Sequence, residues 1–224
     1  MRQLLIAALP ILVAITFHEV AHGWVANRLG DPTAKAMGRL TLNPLAHIDP
    51  IGTILVPVML FILSKGTFIF GAAKPVPVNI FNLRNPRRDS AIVSAAGPLT
   101  NIILAFLSIL LLLVMVSAFP PSSSSFLARK VAAPLQIMLQ YSITFNIFLA
   151  AFNLFPIPPL DGGRIAASLL PVKYSYHFER LEPYGIFIVL ILWFTGIAHY
   201  IIAPIRMFIE LILRVMLIPF GGLM

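Results

Sequence analysis

The run His18-Glu19-Val20-Ala21-His22 sets two imidazoles four residues apart with a carboxylate beside the first. On a helix this spacing puts both rings on one face, where they can grip a single zinc ion, and leaves Glu19 free to act on a water held by that ion. The chain has no cysteine, so thiolate sites and disulfides are excluded and any transition-metal ligand must be imidazole or carboxylate. Catalytic zinc usually takes three protein ligands plus water. The extended pattern with a third histidine six residues after the second is absent, because Val25 and Arg28 occupy its glycine and histidine positions. The third ligand must therefore come from another segment.

Elimination narrows the choice. The carboxylates are Glu19, Asp31, Asp49, Asp89, Asp161, Glu179, Glu182 and Glu210. Asp31, Asp49, Asp89, Glu179 and Glu182 stand in polar, charge-bearing stretches that read as loops. Glu210 has Arg206 and Arg214 four residues to either side, which gives an ion-paired stripe on a helix. Asp161 alone follows a long apolar run, has no basic neighbour before Arg164, and sits among prolines and glycines that free the backbone to turn inward. It is the expected third ligand; otherwise it would be an ordinary turn aspartate before Gly162-Gly163.

The elements that must carry these residues are apolar. Hydrophobic residues make up 59% of the 224 residues, charged residues 11%, and the mean hydropathy is +0.93. A soluble domain devotes about a quarter of its residues to charge, so the composition is that of a membrane protein. An ionisable residue in a membrane segment costs roughly 2.5–3.5 kcal/mol on insertion scales, and three within five positions call for a compensating partner such as a metal. The net charge of +8 comes from basic residues in short loops between apolar runs, as the positive-inside tendency requires, and nucleic-acid binding is not expected.

The apolar runs give the expected architecture. Residues 4–29 form a first helix that is retained as a membrane helix, since no small-residue cleavage site follows it. Residues 31–50 read as a loop, and residues 51–63 as a shorter run that either crosses or re-enters. Within residues 68–88, the alternation Lys74-Pro75-Val76-Pro77-Val78-Asn79 forbids helix and favours extended chain. Helices are expected at about 91–119, 131–154 and 184–202, with Pro204 opening a last one to residue 217. The fold class is an all-α polytopic membrane protein of about five to six transmembrane helices with a short membrane-associated extended, β-like segment. It forms a single domain over residues 1–224, with a catalytic core at about 4–170 and C-terminal helices at about 184–219.

Three motifs in order, His18-Glu19-Val20-Ala21-His22, Ala96-Gly97-Pro98-Leu99-Thr100-Asn101 and Leu160-Asp161-Gly162, the last preceded by Asn153-Leu154-Phe155-Pro156, resemble those of the site-2 protease family of intramembrane zinc metalloproteases, peptidase family M50. The resemblance covers about residues 17–164. It implies one zinc ion held by His18, His22 and Asp161, with Glu19 as general base and Asn153 positioning substrate or stabilising the developing oxyanion. Asn101 either reaches the active site or serves as interhelical glue, and His47 is a further candidate at the substrate side or behind the ligands. The 74–79 segment resembles the family's membrane-associated element, whose edge could take an unwound substrate by strand addition. The chain has no room for a PDZ insertion.

The resemblance further implies transmembrane protein substrates cut within or near the bilayer, in regulated intramembrane proteolysis. Half of the basic residues fall between Arg28 and Arg88, on the side where the motifs must converge, so the site is expected toward the cytoplasm of a multi-pass cell-membrane protein, in prokaryotes the inner membrane. A homo-oligomer is left open. The alternatives are a membrane metal-ion transporter, a metal-binding protein without protease activity, and a catalytically idle relative; a glutamate directly after the first ligand histidine and the lack of an inverted repeat speak against transport.

Overall fold

The computed structural model describes residues 2–55, 59, 62, 74–120 and 125–217. Parts of the expected 51–63 and 68–88 stretches, and most of the serine run, lie outside them. The described chain is helical, with α1 (Arg2–Arg28), α2 (Pro86–Ala118), α3 (Ala133–Asn153), α4 (Asp161–Leu169), α5 (Val172–Glu179), α6 (Glu182–Phe194) and α7 (Ile197–Leu217). Three helices, Ile6–Arg28, Pro86–Ala118 and Ala128–Asn153, are long and apolar enough to cross a membrane, or four if α6 and α7 together make one broken span. Among the described residues that is fewer than the five to six expected, and part of the expected 51–63 segment lies outside them. The difference arises partly at residues 184–202, where the helix expected to run through instead breaks at Thr195-Gly196 and turns by 92°. Gly196 takes φ 79° there, a left-handed conformation that glycine adopts without steric cost. Pro204 does not open the last helix; it lies inside α7.

α2 packs between α1, α3 and α4, and α3 also packs against α7. Its exposed stripe is Leu99, Ile103, Leu107 and Leu111, while Asn101, Ala105 and Ile109 are buried. Leucine outside and asparagine inside at helical spacing is the pattern of a helix solvated by lipid. Small buried residues, Ala14 and Ala26 on α1 and Ala96, Gly97 and Ala105 on α2, let the backbones approach closely. Asp89, read as a loop residue, is buried in the first turn of α2 and accepts the N–H of the N-cap residue Asn85 at 2.8 Å.

α1 ends in a Schellman turn. Gly30 takes φ 115° and the Asp31 N–H reaches the Ala26 carbonyl at 2.9 Å. Asp31 is fully buried rather than a loop residue in solvent. Its carboxylate accepts the Asn79 N–H at 2.6 Å, the Asn82 side chain and the Thr33 N–H at 3.0 Å, and the Thr33 hydroxyl. It clasps residues 79–82 to the end of α1. Residues 74–79 are non-helical, as proline spacing requires, but there is no strand among the described residues. The Lys74 N–H donates to the His47 carbonyl at 2.9 Å, the Arg39 Nη2 to the Lys74 carbonyl at 3.0 Å, and the Val76 N–H to the Glu19 carboxylate at 2.8 Å. The segment is thus fastened to side chains and a loop carbonyl instead of a ladder.

Burial alone would raise the pKa of Asp31, but the bonds from Thr33, Asn82 and Asn79 outweigh it and hold the group below the ordinary value of 3.8. A depressed folded pKa contributes stability that is fully present above pH 3.8 and is lost as pH falls through the folded pKa. Asp31→Asn is therefore expected to lower stability by about 1–2 kcal/mol at neutral pH and to flatten the acid limb of the stability curve below about pH 4. Thermal unfolding in detergent from pH 7 to pH 3 checks this.

Candidate metal centre

α1 presents His18 and His22 on one face, and the first residue of α4 presents Asp161 to the same point. His18 Nε2 lies 3.2 Å and His22 Nε2 3.3 Å from Asp161 Oδ2, and the two Nε2 atoms are 3.1 Å apart. All three residues are buried. Among the described residues they form the group of histidine and acidic side chains placed to hold a metal. The residue pattern of α1 supplies two of the three directly; the third depends on Pro156 to Pro159, which end α3 and return the chain as α4. Asp161 enters in the first turn of α4, where the helix dipole favours a carboxylate.

Hydrogen bonds fix which atoms face the centre. His22 Nδ1 bonds to the Val93 carbonyl at 2.7 Å, and His18 Nδ1 to the Asn101 Oδ1 at 2.6 Å. A carbonyl only accepts, so His22 Nδ1 carries the proton and the neutral ring turns its Nε2 lone pair inward; His18 with Asn101 behaves alike. Three electron-pair donors then converge within 3.1–3.3 Å, and Asp161 Oδ2 is buried with no hydrogen-bond donor. Such an arrangement repels itself unless a metal ion, or a proton shared between a ring and Asp161, sits within it. A tetrahedral zinc with bonds of about 2.0–2.1 Å separates its ligand atoms by roughly 3.3–3.4 Å, so the residues present fit the ion.

The centre lines a cavity of about 420 Å³ that also takes in Glu19, Val76, Asn153, Arg164, Glu179 and Glu182. Half of the chain's eight carboxylates, namely Glu19, Asp161, Glu179 and Glu182, line it, against one Lys or Arg side chain among the described residues, Arg164. Arg164 is paired with Glu182 at 3.2 Å. An acidic basin in a chain of net charge +8 favours a cation over an anionic ligand.

Close approach depends on Gly97 of the middle motif. A Cβ there would overlap the His22 ring and lie 2.6 Å from the His18 Cε1, so α2 can carry Val93 and Asn101 to the two imidazoles only with glycine between them. Gly23 plays the same part for the extended segment, since a Cβ would lie 2.6 Å from the Val76 Cγ1.

Of the residues singled out in the sequence, His18, His22 and Asp161 meet at one point, Glu19 and Asn153 line the cavity, and Asn101 stands behind His18. The Asn153 Nδ2 donates to the Leu149 carbonyl at 2.9 Å, which leaves its second N–H. His47 does not reach the centre: it is buried in the loop, where its Nε2 donates to the Thr41 carbonyl at 2.9 Å, and its backbone holds Lys74. The Arg206–Glu210 pair expected in α7 is present at 3.4 Å. Sequence reading passed over Asn146, buried and bonded to Asn101 at 2.9 Å; an asparagine in the middle of an apolar helix was the available signal. It also passed over the Val93 carbonyl and the Val76 N–H, which as backbone groups leave no mark in composition.

Comparison with known proteins agrees with this geometry. The model of peptidase family M50 matches residues 6–136 and 123–196. The zinc metalloprotease candidate YwhC of Bacillus subtilis is 40% identical over 196 residues, 88% of this chain and 83% of the relative. The zinc metalloprotease candidate Rip2 of Mycobacterium tuberculosis is 29% identical over 202 residues, 85% of this chain and 70% of the relative. The zinc metalloprotease MJ0392 of Methanocaldococcus jannaschii is 24% identical over 167 residues, 74% of this chain and 34% of the relative. No solved structure matches. With its motifs gathered around one acidic cavity and the family model spanning most of its length, the chain belongs to peptidase family M50.

Proposed function

We propose that the chain is an intramembrane zinc protease in which one zinc ion is held by His18, His22 and Asp161. The observation that carries this is the triangle of two imidazole nitrogens and one carboxylate oxygen, 3.1–3.3 Å apart, at the end of an apolar helix and beside the Glu19 carboxylate. Zinc, when bound, supplies Lewis acidity that polarises a scissile carbonyl and lowers the pKa of water to about 7.

The protein's own groups supply the rest. Glu19, on the cavity wall and oriented by the Val76 N–H, takes the proton of the attacking water and returns it to the departing amine nitrogen. Asn153 offers its remaining N–H to the oxygen that gains charge as the carbonyl becomes tetrahedral. The substrate is a transmembrane segment of another protein, unwound where it enters, because helical peptide bonds are shielded from attack. The 74–79 segment forms the wall along which it lies, with Pro75, Val76 and Val78 facing the cavity. The chain acts as one domain in the cell membrane, the prokaryotic inner membrane, with crossings beyond the three described and the site toward the cytoplasm.

The test is cleavage of a single-span peptide reconstituted with the purified chain in vesicles, with the cut mapped by mass. A cut within or at the edge of the span is the expected result. Cuts confined to flanking soluble sequence, or zinc uptake into the vesicles without any cut, would overturn the proposal, the latter in favour of transport.

A further inference from the structure

Behind His18 runs a polar chain that crosses three helices, buried at its two asparagines and half-buried at its two serines. Asn101 is fully buried and Asn146 is 1% exposed. The Asn101 Nδ2 donates to the Ala14 carbonyl at 3.3 Å and to the Asn146 Oδ1 at 2.9 Å. The Asn146 Nδ2 donates to the Ser142 carbonyl at 2.8 Å and the Ser142 Oγ at 3.2 Å, and the Ser142 Oγ meets the Ser108 Oγ at 2.8 Å. Polar side chains in a lipid-solvated bundle are costly, and five in one connected line serve more than packing.

The line has a direction. An amide side chain can face either way, and its neighbours decide which. The Ser142 carbonyl accepts only, so it draws the Asn146 NH2 and turns the Asn146 Oδ1 to Asn101. That oxygen and the Ala14 carbonyl together draw the Asn101 NH2, which leaves the Asn101 Oδ1 facing His18 Nδ1. Reversed, Asn101 would present N–H to Nδ1, the ring proton would move to Nε2, and a hydrogen would point at the position a metal takes. His22 has no such dependence, because a backbone carbonyl, Val93, fixes its tautomer and cannot flip.

We propose that Asn101 and Asn146 form a two-amide relay that locks His18 in its metal-binding tautomer, with Asn146 acting on the centre without touching it. The proposal rests on the metal-site reading above and names two positioning residues for it. Removing a hydrogen-bond partner of a metal-bound histidine typically costs about 10–100-fold in metal affinity.

The experiment is zinc affinity of the full chain in detergent, by competition with a chelator, with the metal-free unfolding temperature as a control for the fold. Asn101→Leu should weaken zinc by about 10–100-fold, whereas Asn101→Asp, whose carboxylate accepts from His18 either way up, should retain more of the affinity, although its second oxygen faces the Ala14 and Asn146 oxygens in place of the lost N–H donor. Asn146→Leu should weaken zinc about 10-fold in the wild-type background and cause no further loss in the Asn101→Asp background, where no amide needs orienting. Equal loss in both backgrounds would assign Asn146 to packing and overturn the relay, as would wild-type affinity in Asn101→Leu. Because the readout is affinity, a wild type that binds zinc and cleaves nothing would overturn the proposed function alone.

Discussion

Glu19→Gln is expected to slow peptide-bond cleavage by about 10²–10⁴-fold, the range for a positioned general base, while the protein keeps its zinc. Glu19 follows the first ligand histidine but points along the cavity wall, where its Oε2 accepts the Val76 N–H at 2.8 Å, and it is not one of the three converging donors. Glutamine has nearly the same shape and its carbonyl oxygen can take the same bond, so wall and metal centre survive. What disappears is a group able to accept a proton. Turnover of a single-span peptide and metal content measured on one preparation check both halves. Loss of metal together with activity would instead make Glu19 part of the metal's support, and unchanged turnover would remove it from the chemistry.

Gly97→Ala is the smallest change expected to disable the centre. The added methyl would overlap the His22 ring and sit 2.6 Å from the His18 Cε1. Neither ring can yield, because each is tethered through Nδ1 to α2 itself, His22 at Val93 and His18 at Asn101. α2 must therefore move off α1. Overpacking a tight interior costs about 1–3 kcal/mol, and here that cost falls on the geometry of two metal ligands, so zinc affinity should drop by about 10-fold to 100-fold or more with cleavage falling in parallel. Gly38→Ala, at a glycine with open space around it and outside the three motifs, is the comparison for nonspecific loss; its left-handed φ of 65° costs some stability while the added methyl touches neither imidazole. Chelator competition on the two variants separates them.

The parts of the site that could be read from sequence are those fixed by local spacing. Two histidines four apart share a helix face wherever the helix goes, and the expense of burying charge in lipid made His18, Glu19 and His22 conspicuous. Asp161 was reachable because only eight carboxylates had to be sorted. The structure brings Asp161 to the two imidazoles, although some reasons for setting the others aside differ: Asp31 and Asp89 are buried, but each accepts from backbone N–H, Asp31 from Asn79 and Thr33 and Asp89 from Asn85. Asn146 and the Val93 carbonyl depend on the register of α3 and α2 against α1, which no single-helix pattern encodes.

The same divide runs through the fold. Long apolar runs gave α1, α2 and α3 to within a few residues at most ends. The 92° turn at Gly196 was hidden because the hydropathy on either side of it is continuous, and hydropathy does not report direction. Proline spacing correctly forbade helix at residues 74–79, yet could not say that the free N–H of Val76 would be taken by Glu19 rather than by a neighbouring strand. His47, a candidate for the substrate side or for a place behind the ligands, bonds through its ring to the Thr41 carbonyl and through its backbone to Lys74, and so helps to hold the segment whose Val76 N–H meets Glu19.

The most direct test of the central claim is cleavage of a single-span peptide by the purified chain after its metal has been stripped, measured as zinc is added back. Activity that is absent without zinc, rises in proportion to it and saturates at one ion per chain is the expected result. Cleavage that persists in the stripped protein, or none at full zinc occupancy with spans of varied sequence, would contradict it.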